Sequence, residues 1–256
     1  MMEHGGTPPK GVGKPTLLVF TLGPAAEARR RPLLPESLRE SDRDLRRACL
    51  ETILATGRSA GLHVEVCSPE PLEVSASASW SLQHGRTFGE RLRNALLSAF
   101  ARGSGPVLLV GSDTPGLKVA HLEEALRLLA HDPDRVVLGP ARDGGFYLLA
   151  ASRPLDRALE QTHWCGTRTR ATLVAALRSD GRPILELEVL SDLDTPRDLE
   201  GWLAKDPTGT GALAESALGL ARLLRQLRRP GILSPCARRD RLLAGSPFGR
   251  GPPIPY

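Results

Sequence analysis

The 256-residue sequence predicts an α/β protein with a single, mostly parallel, doubly wound sheet. Apolar runs of strand length alternate with segments in which apolar residues recur every three to four positions, as expected of strand–helix units. Carboxylates also lie at several predicted strand ends, where open α/β sheets bind ligands. We expect this domain to span residues 16–207, after a disordered N-terminus of residues 1–15.

The first part of the domain begins with a continuous apolar strand, residues 16–21, as expected of a strand covered on both faces. Residues 23–35 are rich in Pro, Ala and Arg, and we interpret them as a loop. A helix is expected to begin at Ser41 and to end at Gly57 or Gly61. A second strand, an irregular stretch and a second helix follow over residues 62–67, 69–80 and 88–101.

The third strand ends at the corner around which the predicted site is organised. Residues 107–110 are apolar, and Gly111, Ser112 and Asp113 follow at once, before a helix over residues 118–131. Because ligands bind beyond the carboxyl ends of the strands in this class of fold, Asp113 lies where a site is expected.

The last part of the domain pairs two strands in opposite directions. The strands over residues 135–139 and 146–150 are separated by a short turn at residues 143–145, so we expect them to be antiparallel. A helix, a strand and a short helix follow over residues 169–179, 184–190 and 196–204. Beyond the domain we expect a C-terminal helix and then a disordered tail rich in Pro, Gly and Arg, over residues 208–229 and 230–256.

The net charge of +5 comes from the C-terminal residues and not from the predicted domain. Residues 208–256 contain eight Arg and two acidic residues, whereas residues 16–207 carry a charge of −2. The basic balance therefore gives no reason to expect a nucleic-acid-binding domain. A solvated tail is the expected interpretation, and an acidic partner for the tail is the alternative.

Several protein classes lack their sequence signals here. No run approaches the length of a membrane span, and the N-terminus lacks the apolar core of a signal peptide, so we expect a cytoplasmic protein without membrane contact. The four cysteines form no Cys-x-x-Cys pair, which argues against a zinc site or a disulfide framework. No phosphate-loop, dinucleotide-binding or serine-hydrolase motif lies at a strand–helix junction. The sequence leaves the oligomeric state open.

Four carboxylates lie at strand ends or in tight turns, namely Asp113, Asp143, Asp192 and Asp194. Hard oxygen ligands at such corners suit Mg²⁺ or Mn²⁺, which take one or two carboxylates and complete their coordination with phosphate oxygens and water. Asp192 and Asp194 are two positions apart, so both side chains point to one side of an extended segment. Each acid alone is also a common helix cap or turn residue, but their grouping favours a site.

Two further features could contact phosphates or substrate. Gly144 and Gly145 follow Asp143, and such glycines let a ligand approach the backbone, although a plain hairpin turn would use them equally. The run Arg29 to Arg31 lies just past the first strand, where nucleotides dock in this class of fold. Guanidinium groups bind phosphate oxygens bidentately, although charge runs are commonly solvated.

Motifs spread over residues 16–204 also occur in a characteristic order. They are Gln83 with Phe88-Gly89-Glu90-Arg91-Leu92, Val110-Gly111-Ser112-Asp113-Thr114-Pro115, Leu138-Gly139-Pro140-Ala141-Arg142-Asp143-Gly144-Gly145-Phe146-Tyr147-Leu148-Leu149, Trp164, and Asp192-Leu193-Asp194-Thr195-Pro196-Arg197-Asp198-Leu199. In this order the chain resembles the small GT-A-like proteins known as radical-SAM/selenodomain-associated transferases or arsenosugar-biosynthesis-type glycosyltransferases. More distantly, it is similar to molybdenum-cofactor and phospholactate guanylyltransferases.

The resemblance implies a GT-A-like fold and a metal-dependent glycosyltransferase that uses a nucleoside-diphosphate sugar and a small-molecule acceptor. It implies that Asp113 and Asp194 hold Mg²⁺ or Mn²⁺ against the diphosphate, with Asp192 behind them or as an alternative ligand. From its position, Asp143 is the candidate for orienting the sugar or deprotonating the acceptor. The candidates for nucleotide or substrate binding are Arg30, Arg31, Gln83, Arg91, Ser112, Gly144 and Gly145.

The loop after the first strand departs from the family pattern, which usually has Gly and then Lys-Thr-Arg-Leu. Here Glu27 stands at the Gly position, and Arg30, Arg31 and Pro32 replace Lys, Thr and Arg. A cation remains, but Glu27 and Pro32 remove backbone freedom and one guanidinium where the phosphates are expected. Two alternatives therefore stay open, a nucleotidyltransferase of the guanylyltransferase type and a non-catalytic binding protein whose basic tail is an interaction segment.

Overall fold

A computed structural model describes residues 13–73, 77–103 and 105–205. Within these residues seven strands form one sheet: β1 (Thr16–Phe20), β2 (His63–Ser68), β3 (Ser79–Leu82), β4 (Val107–Val110), β5 (Val136–Pro140), β6 (Phe146–Ala151) and β7 (Ile184–Glu186). The same residues form seven α-helices: α1 (Pro24–Arg30), α2 (Arg39–Ser59), α3 (Phe88–Ala101), α4 (Val119–His131), α5 (Asp156–Gln161), α6 (Thr169–Ser179) and α7 (Pro196–Lys205). A 3₁₀ turn, Glu36–Leu38, precedes α2.

The strand order across the sheet is β3-β2-β1-β4-β6-β5-β7. β1 pairs in parallel with β2 and β4, β2 with β3, and β5 with β7. β6 runs antiparallel to both of its neighbours, β4 and β5. The mostly parallel sheet and the antiparallel pairing predicted for residues 146–150 are confirmed, and the carboxyl ends of β1, β2, β4 and β5 lie along one edge.

The two faces of the sheet pack against different helices. Leu17 and Leu18 are adjacent in β1 and both fully buried, but they belong to different clusters because strand side chains alternate. Leu17 packs with residues of α2 and α4 such as Leu54 and Leu122, whereas Leu18 packs with α3 residues such as Leu96. Helices on both faces confirm the doubly wound prediction.

Three elements differ from the prediction. The interpretation of residues 23–35 as a loop is wrong in its first half, because Pro24–Arg30 forms α1. Proline is favoured at a first helical position, and Gly23 takes the positive φ of 89° with which the chain enters the helix. The stretch predicted as irregular ends in β3, a four-residue edge strand. The six-residue helix α5 is too short for a helical period to predict it.

The bounds of α2 also differ from the prediction. The helix begins at Arg39, ahead of Ser41, and no side chain caps it. Gly57 lies inside the helix, where a Cβ would come within 2.5 Å of the Leu17 side chain, so close packing explains this glycine. The helix ends just before Gly61, which takes a positive φ of 73° as expected beyond a helix end.

The last strand of the sheet is shorter than predicted. Pairing over residues 184–190 is confined to β7, with one isolated bridge between Leu190 and Ala141. The described residues all belong to one compact unit, Met1–Ala217, and the unit Leu218–Tyr256 contains none of them. The predicted helix 208–229 and tail 230–256 therefore lie outside the described residues. No helix within the described ranges is long and apolar enough to cross a membrane.

Candidate active site at the carboxyl edge of the sheet

The corner after β4 is joined to the segment that carries Asp192 and Asp194. The backbone carbonyl of Asp113 accepts a hydrogen bond from the Leu193 N–H at 2.8 Å. The Thr114 hydroxyl donates to Asp192 Oδ1 at 2.5 Å. These two bonds bring acids from distant parts of the chain to one place beyond the end of β4.

The guanidinium of Arg31 lies between the carboxylates of Asp113 and Asp194. Its Nη1 donates a hydrogen bond to Asp194 Oδ1, and its Nη2 lies 3.7 Å from Asp113 Oδ2. The same Nη2 lies 3.5 Å from Oε2 of Glu27, one turn back on α1. The structure thus brings together three predicted residues from separate segments and adds Glu27 to them.

The acids of this cluster raise one another's pKa. Burial and then the charges of Asp194 and Glu27 raise the pKa of Asp113 to about 6, although Arg31 opposes the shift. Burial and then the charge of Asp113 raise the pKa of Asp192 to about 8. Burial also raises the pKa of Asp194, and it outweighs the attraction of Arg31. One arginine does not balance these acids, so the cluster has surplus negative charge.

Glu27 has a buried carboxylate oxygen that accepts no hydrogen bond from the described residues. The residue is only 7% exposed. Its Oε1 accepts a hydrogen bond from the Leu22 N–H at 3.3 Å, but its Oε2 has no hydrogen-bond partner among the described residues. A buried polar atom in this state is costly and calls for an explanation. The sequence singled out Glu27 only as a departure from glycine, because its neighbours are distant in the chain.

A second arginine–carboxylate pair holds the loop that carries Arg31. Asp42, on the first turn of α2, accepts backbone hydrogen bonds from Leu33 at 2.6 Å and Leu34 at 3.1 Å. Arg46 Nε donates to the other oxygen of Asp42 at 2.9 Å, and Arg46 Nη2 donates to the backbone carbonyl of Arg31. The sequence analysis does not predict this pair, although a spacing of four residues on a predicted helix favours an ion pair.

A cleft lies beside the cluster, between α1, α2 and the Asp113 corner. The pKa of Cys49, inside this cleft, is raised to about 12 by burial and by the charge of Asp113. The thiol therefore stays protonated at neutral pH and is excluded as a nucleophile. The cleft is lined by Pro24, Glu27, Leu33, Arg46, Cys49, Ser112, Asp113 and Leu193.

Asp143 lies on an exposed turn at the same edge. Its Oδ1 accepts a hydrogen bond from the Gly145 N–H at 2.8 Å. A Cβ on Gly144, which has a φ of 91°, would lie 2.1 Å from the Thr167 carbonyl oxygen, so this turn requires glycine. The negative charge of Asp143 contributes to the raised pKa of Asp194. Residues 143–145 thus form the predicted turn, and the catalytic role of Asp143 stays a prediction.

Three other predicted substrate-binding residues make hydrogen bonds within the protein. Gln83 is buried, and its Nε2 donates to the backbone carbonyls of Thr21 and Cys67 at 2.9 and 3.0 Å. Ser112 Oγ lies 2.7 Å from the Thr21 hydroxyl, and Arg91 Nε donates to a backbone carbonyl. These bonds hold the ends of β1, β2 and β4 in place. The roles of these residues towards a substrate, and that of the exposed Arg30, stay predictions.

An aromatic cluster lies at the same edge, on the sheet face that packs against α3. Phe20 and Phe88 meet edge to face with ring centroids 5.6 Å apart, and Trp164 lies 5.6 Å from Phe88 and 6.3 Å from Phe146. Phe88 is 42% exposed. The sequence names three of these residues within motifs, but their contact depends on the tertiary fold.

The donor atoms of the cluster fit a cation that shares its coordination with a ligand. Asp113 and Asp194 supply hard carboxylate oxygens, and the surplus negative charge of the cluster favours added positive charge. Within the described ranges no three His, Cys, Asp or Glu side chains are arranged to hold a metal by themselves. The residues therefore fit a magnesium-type ion that also binds phosphate and water, and do not fit an all-protein cage.

Comparison with known proteins places this geometry in a known fold. Residues 44–166 match the model of a family described as "Uncharacterized protein conserved in bacteria" (DUF2064). No curated protein matches the chain. A structure from Desulfovibrio desulfuricans G20 that carries the name nucleotide-diphospho-sugar transferase is 22% identical, with 82% of this chain and 97% of that chain covered and a TM-score of 0.72.

Two more distant structures show the same architecture. Rv0371c from Mycobacterium tuberculosis H37Rv is 20% identical, with 77% and 100% of the two chains covered and a TM-score of 0.51. A CMP:2-keto-3-deoxy-manno-octonic acid synthetase in complex with CTP is 13% identical, with 75% and 98% covered and a TM-score of 0.51. At these identities the likeness shows the fold, and the chain has the fold of nucleotide-diphospho-sugar transferases and nucleotidyltransferases, as predicted.

Proposed function

We propose that the protein is a metal-dependent transferase that moves a sugar from a nucleoside-diphosphate sugar to a small-molecule acceptor. The observation that carries the proposal is the meeting of Asp113, Asp194 and Arg31 at the carboxyl edge of the sheet. In open α/β sheets this edge is where ligands bind. The name of the similar D. desulfuricans protein supports a nucleotide-sugar donor.

Asp113 and Asp194 are the proposed ligands of Mg²⁺ or Mn²⁺. When bound, such an ion neutralises charge on the departing diphosphate and acts as a Lewis acid. Asp192 holds its segment against the corner through Thr114, and it lies close enough to the proposed ligands for the charge of Asp113 to raise its pKa. A diphosphate is itself anionic, so it could not approach these acids without added positive charge, and this favours joint binding of metal and donor.

Arg30 and Arg31 are the proposed phosphate-binding cations. Arg30 lies in the last turn of α1 and Arg31 directly follows the helix, and both are exposed. A guanidinium beside the diphosphate would stabilise charge that develops on the leaving group. Asp143 is exposed, and its charge contributes to the raised pKa of Asp194. It is the proposed group for orienting the sugar or deprotonating the acceptor. A cytoplasmic location stays a prediction.

Nucleotidyl transfer is the second candidate, and the similar fold of the CTP-bound synthetase favours it. The same acids and cation would then serve attack at the α-phosphate. The products decide between the two reactions, because nucleotidyl transfer from a nucleoside triphosphate releases pyrophosphate and sugar transfer releases a nucleoside diphosphate. A non-catalytic binding protein is the third candidate, which the altered loop at Glu27 and Pro32 motivates.

Calorimetric titration with a panel of nucleotide sugars and nucleoside triphosphates plus Mn²⁺ tests the proposal. We expect saturable binding of at least one nucleotide sugar, and its loss in Asp113→Ala. Asp156→Ala is the matched control, since Asp156 is an acid of α5 that pairs with Arg93. Binding of no nucleotide overturns both enzymatic candidates, and binding that survives Asp113→Ala overturns the metal assignment.

A further inference from the structure

Arg31 occupies the position between the two proposed metal ligands. It donates a hydrogen bond to Asp194 Oδ1, and it lies 3.7 Å from Asp113 Oδ2 and 3.5 Å from Glu27 Oε2. A single guanidinium thus meets three carboxylates from three separate parts of the chain. In a surface salt bridge one such contact would be ordinary, but three around one partly exposed side chain are not.

The guanidinium and a divalent ion cannot use these oxygens together. A magnesium-type ion binds carboxylate oxygens at about 2.0–2.1 Å, and its charge repels a neighbouring cation. One oxygen of each proposed ligand, Asp194 Oδ1 and Asp113 Oδ2, faces the guanidinium. An ion held by both acids would lie beside this cation, so metal binding by Asp113 and Asp194 favours displacement of Arg31 from its present position.

The local structure lets the side chain move while the backbone stays fixed. Arg46 holds the backbone carbonyl of Arg31, and Asp42 holds the amides of Leu33 and Leu34. The Arg31 side chain is 42% exposed, so solvent reaches it and it is not enclosed by its neighbours. A phosphate ligand there would offer the guanidinium new bidentate partners, which a free metal ion would not.

We propose that Arg31 is a built-in counter-cation that makes the site select a metal–diphosphate complex over the free metal ion. Without ligand, Arg31 offsets part of the negative charge of Asp113 and Asp194 and disfavours a divalent ion. When metal and diphosphate arrive together, the metal takes the carboxylates and Arg31 takes the phosphate oxygens. This inference rests on the proposed function and adds to it a coupling between the two ligands, which is reciprocal by thermodynamic necessity.

The test compares the binding of Mn²⁺ alone with that of a preformed Mn²⁺–pyrophosphate complex, in the full chain. We expect Arg31→Gln to bind free Mn²⁺ about tenfold more tightly than the wild type and the complex about tenfold more weakly, a coupling in the usual range. Arg31→Lys keeps the positive charge but lacks the planar guanidinium that binds phosphate through two N–H groups. It should therefore still disfavour free Mn²⁺ but bind the complex less well. Arg39→Gln is the matched control, because Arg39 is an exposed arginine that pairs with Glu36.

The outcomes separate this inference from the proposed function. Equal affinity of wild type and Arg31→Gln for free Mn²⁺ overturns the inference and leaves the metal site intact. Binding of neither free Mn²⁺ nor the complex by any variant overturns the metal site and the inference with it. Thermal unfolding of each variant accompanies the titrations, and Arg31→Met, which removes the same charge, replaces Arg31→Gln if that variant unfolds early.

Discussion

Arg46 and Arg31 each meet carboxylates around the same loop, but the two groups are satisfied to different degrees. The Asp42–Arg46 pair is almost fully buried, and Asp42 accepts two backbone hydrogen bonds besides that of Arg46. The Arg31 cluster has more acids than cations, and it leaves Glu27 Oε2 without a hydrogen bond within the described structure.

The difference separates a scaffold from a site. A buried charge whose hydrogen bonds are complete holds its surroundings in one arrangement, and Asp42 does this for the loop that carries Arg31. A cluster whose acids raise one another's pKa is destabilising unless another ion arrives, and such clusters concentrate at functional sites. The satisfied pair therefore holds in place the backbone of the unsatisfied cluster.

The largest expected effect is on the scaffold. Asp42→Ala leaves Arg46 as a buried charge without its partner and removes acceptors from two backbone amides, so we expect a loss of about 3–5 kcal/mol in unfolding free energy. Urea unfolding measures it. Asp44→Ala, on the exposed face of the same helix, is the control and should change stability by less than about 0.5 kcal/mol. A loss below about 1 kcal/mol for Asp42→Ala contradicts the scaffold role.

The next effect concerns the unsatisfied cluster. A saturating Mn²⁺–pyrophosphate complex at about 100 times its Kd should add about 2.7 kcal/mol to the unfolding free energy. For a domain of this size that raises the Tm by roughly 5–11 °C. EDTA should reverse the shift, and Asp113→Asn should abolish it. The same shift in Asp113→Asn would place the ligand elsewhere.

More of the fold than of the site could be predicted, because strands and helices leave a periodic pattern of apolar residues in the local sequence. The bounds of α3 and α6 agree with the prediction, since each has a regular apolar face. Residues 24–30 were missed because their alanines and arginines show no apolar period, and Ser79–Leu82 because it is a short edge strand.

The site was predictable only in part for a related reason. Asp113 and Asp194 stand out because both are acids beside strand ends, and the order of the elements brings those ends to one edge. The place of Arg31 between them depends on hydrogen bonds that Arg46 donates and Asp42 accepts, and no local pattern connects those residues to Asp194. Which charges a fold leaves unbalanced is a property of its tertiary contacts.

The smallest expected effect comes from removing one acid of the Arg31 cluster. Asp192→Asn keeps an acceptor for the Thr114 hydroxyl but removes one charge from the cluster. We expect the metal-free variant to be more stable than the wild type by about 1 kcal/mol at alkaline pH. Urea unfolding in EDTA measures this, and Asp156→Asn is the control. No change at alkaline pH would mean that the acids of the cluster are not in conflict.

The pH dependence of that difference has a definite sign. Burial and then the charge of Asp113 raise the pKa of Asp192 in the folded protein to about 8, against the hydrogen bond from Thr114, and the charges of Asp143 and Asp194 add to the shift. An acid whose folded pKa is raised favours folding fully below its unfolded pKa of about 3.9, and that contribution is lost as the pH rises through 8. The advantage of Asp192→Asn should therefore grow between about pH 4 and 8 and level off above pH 8.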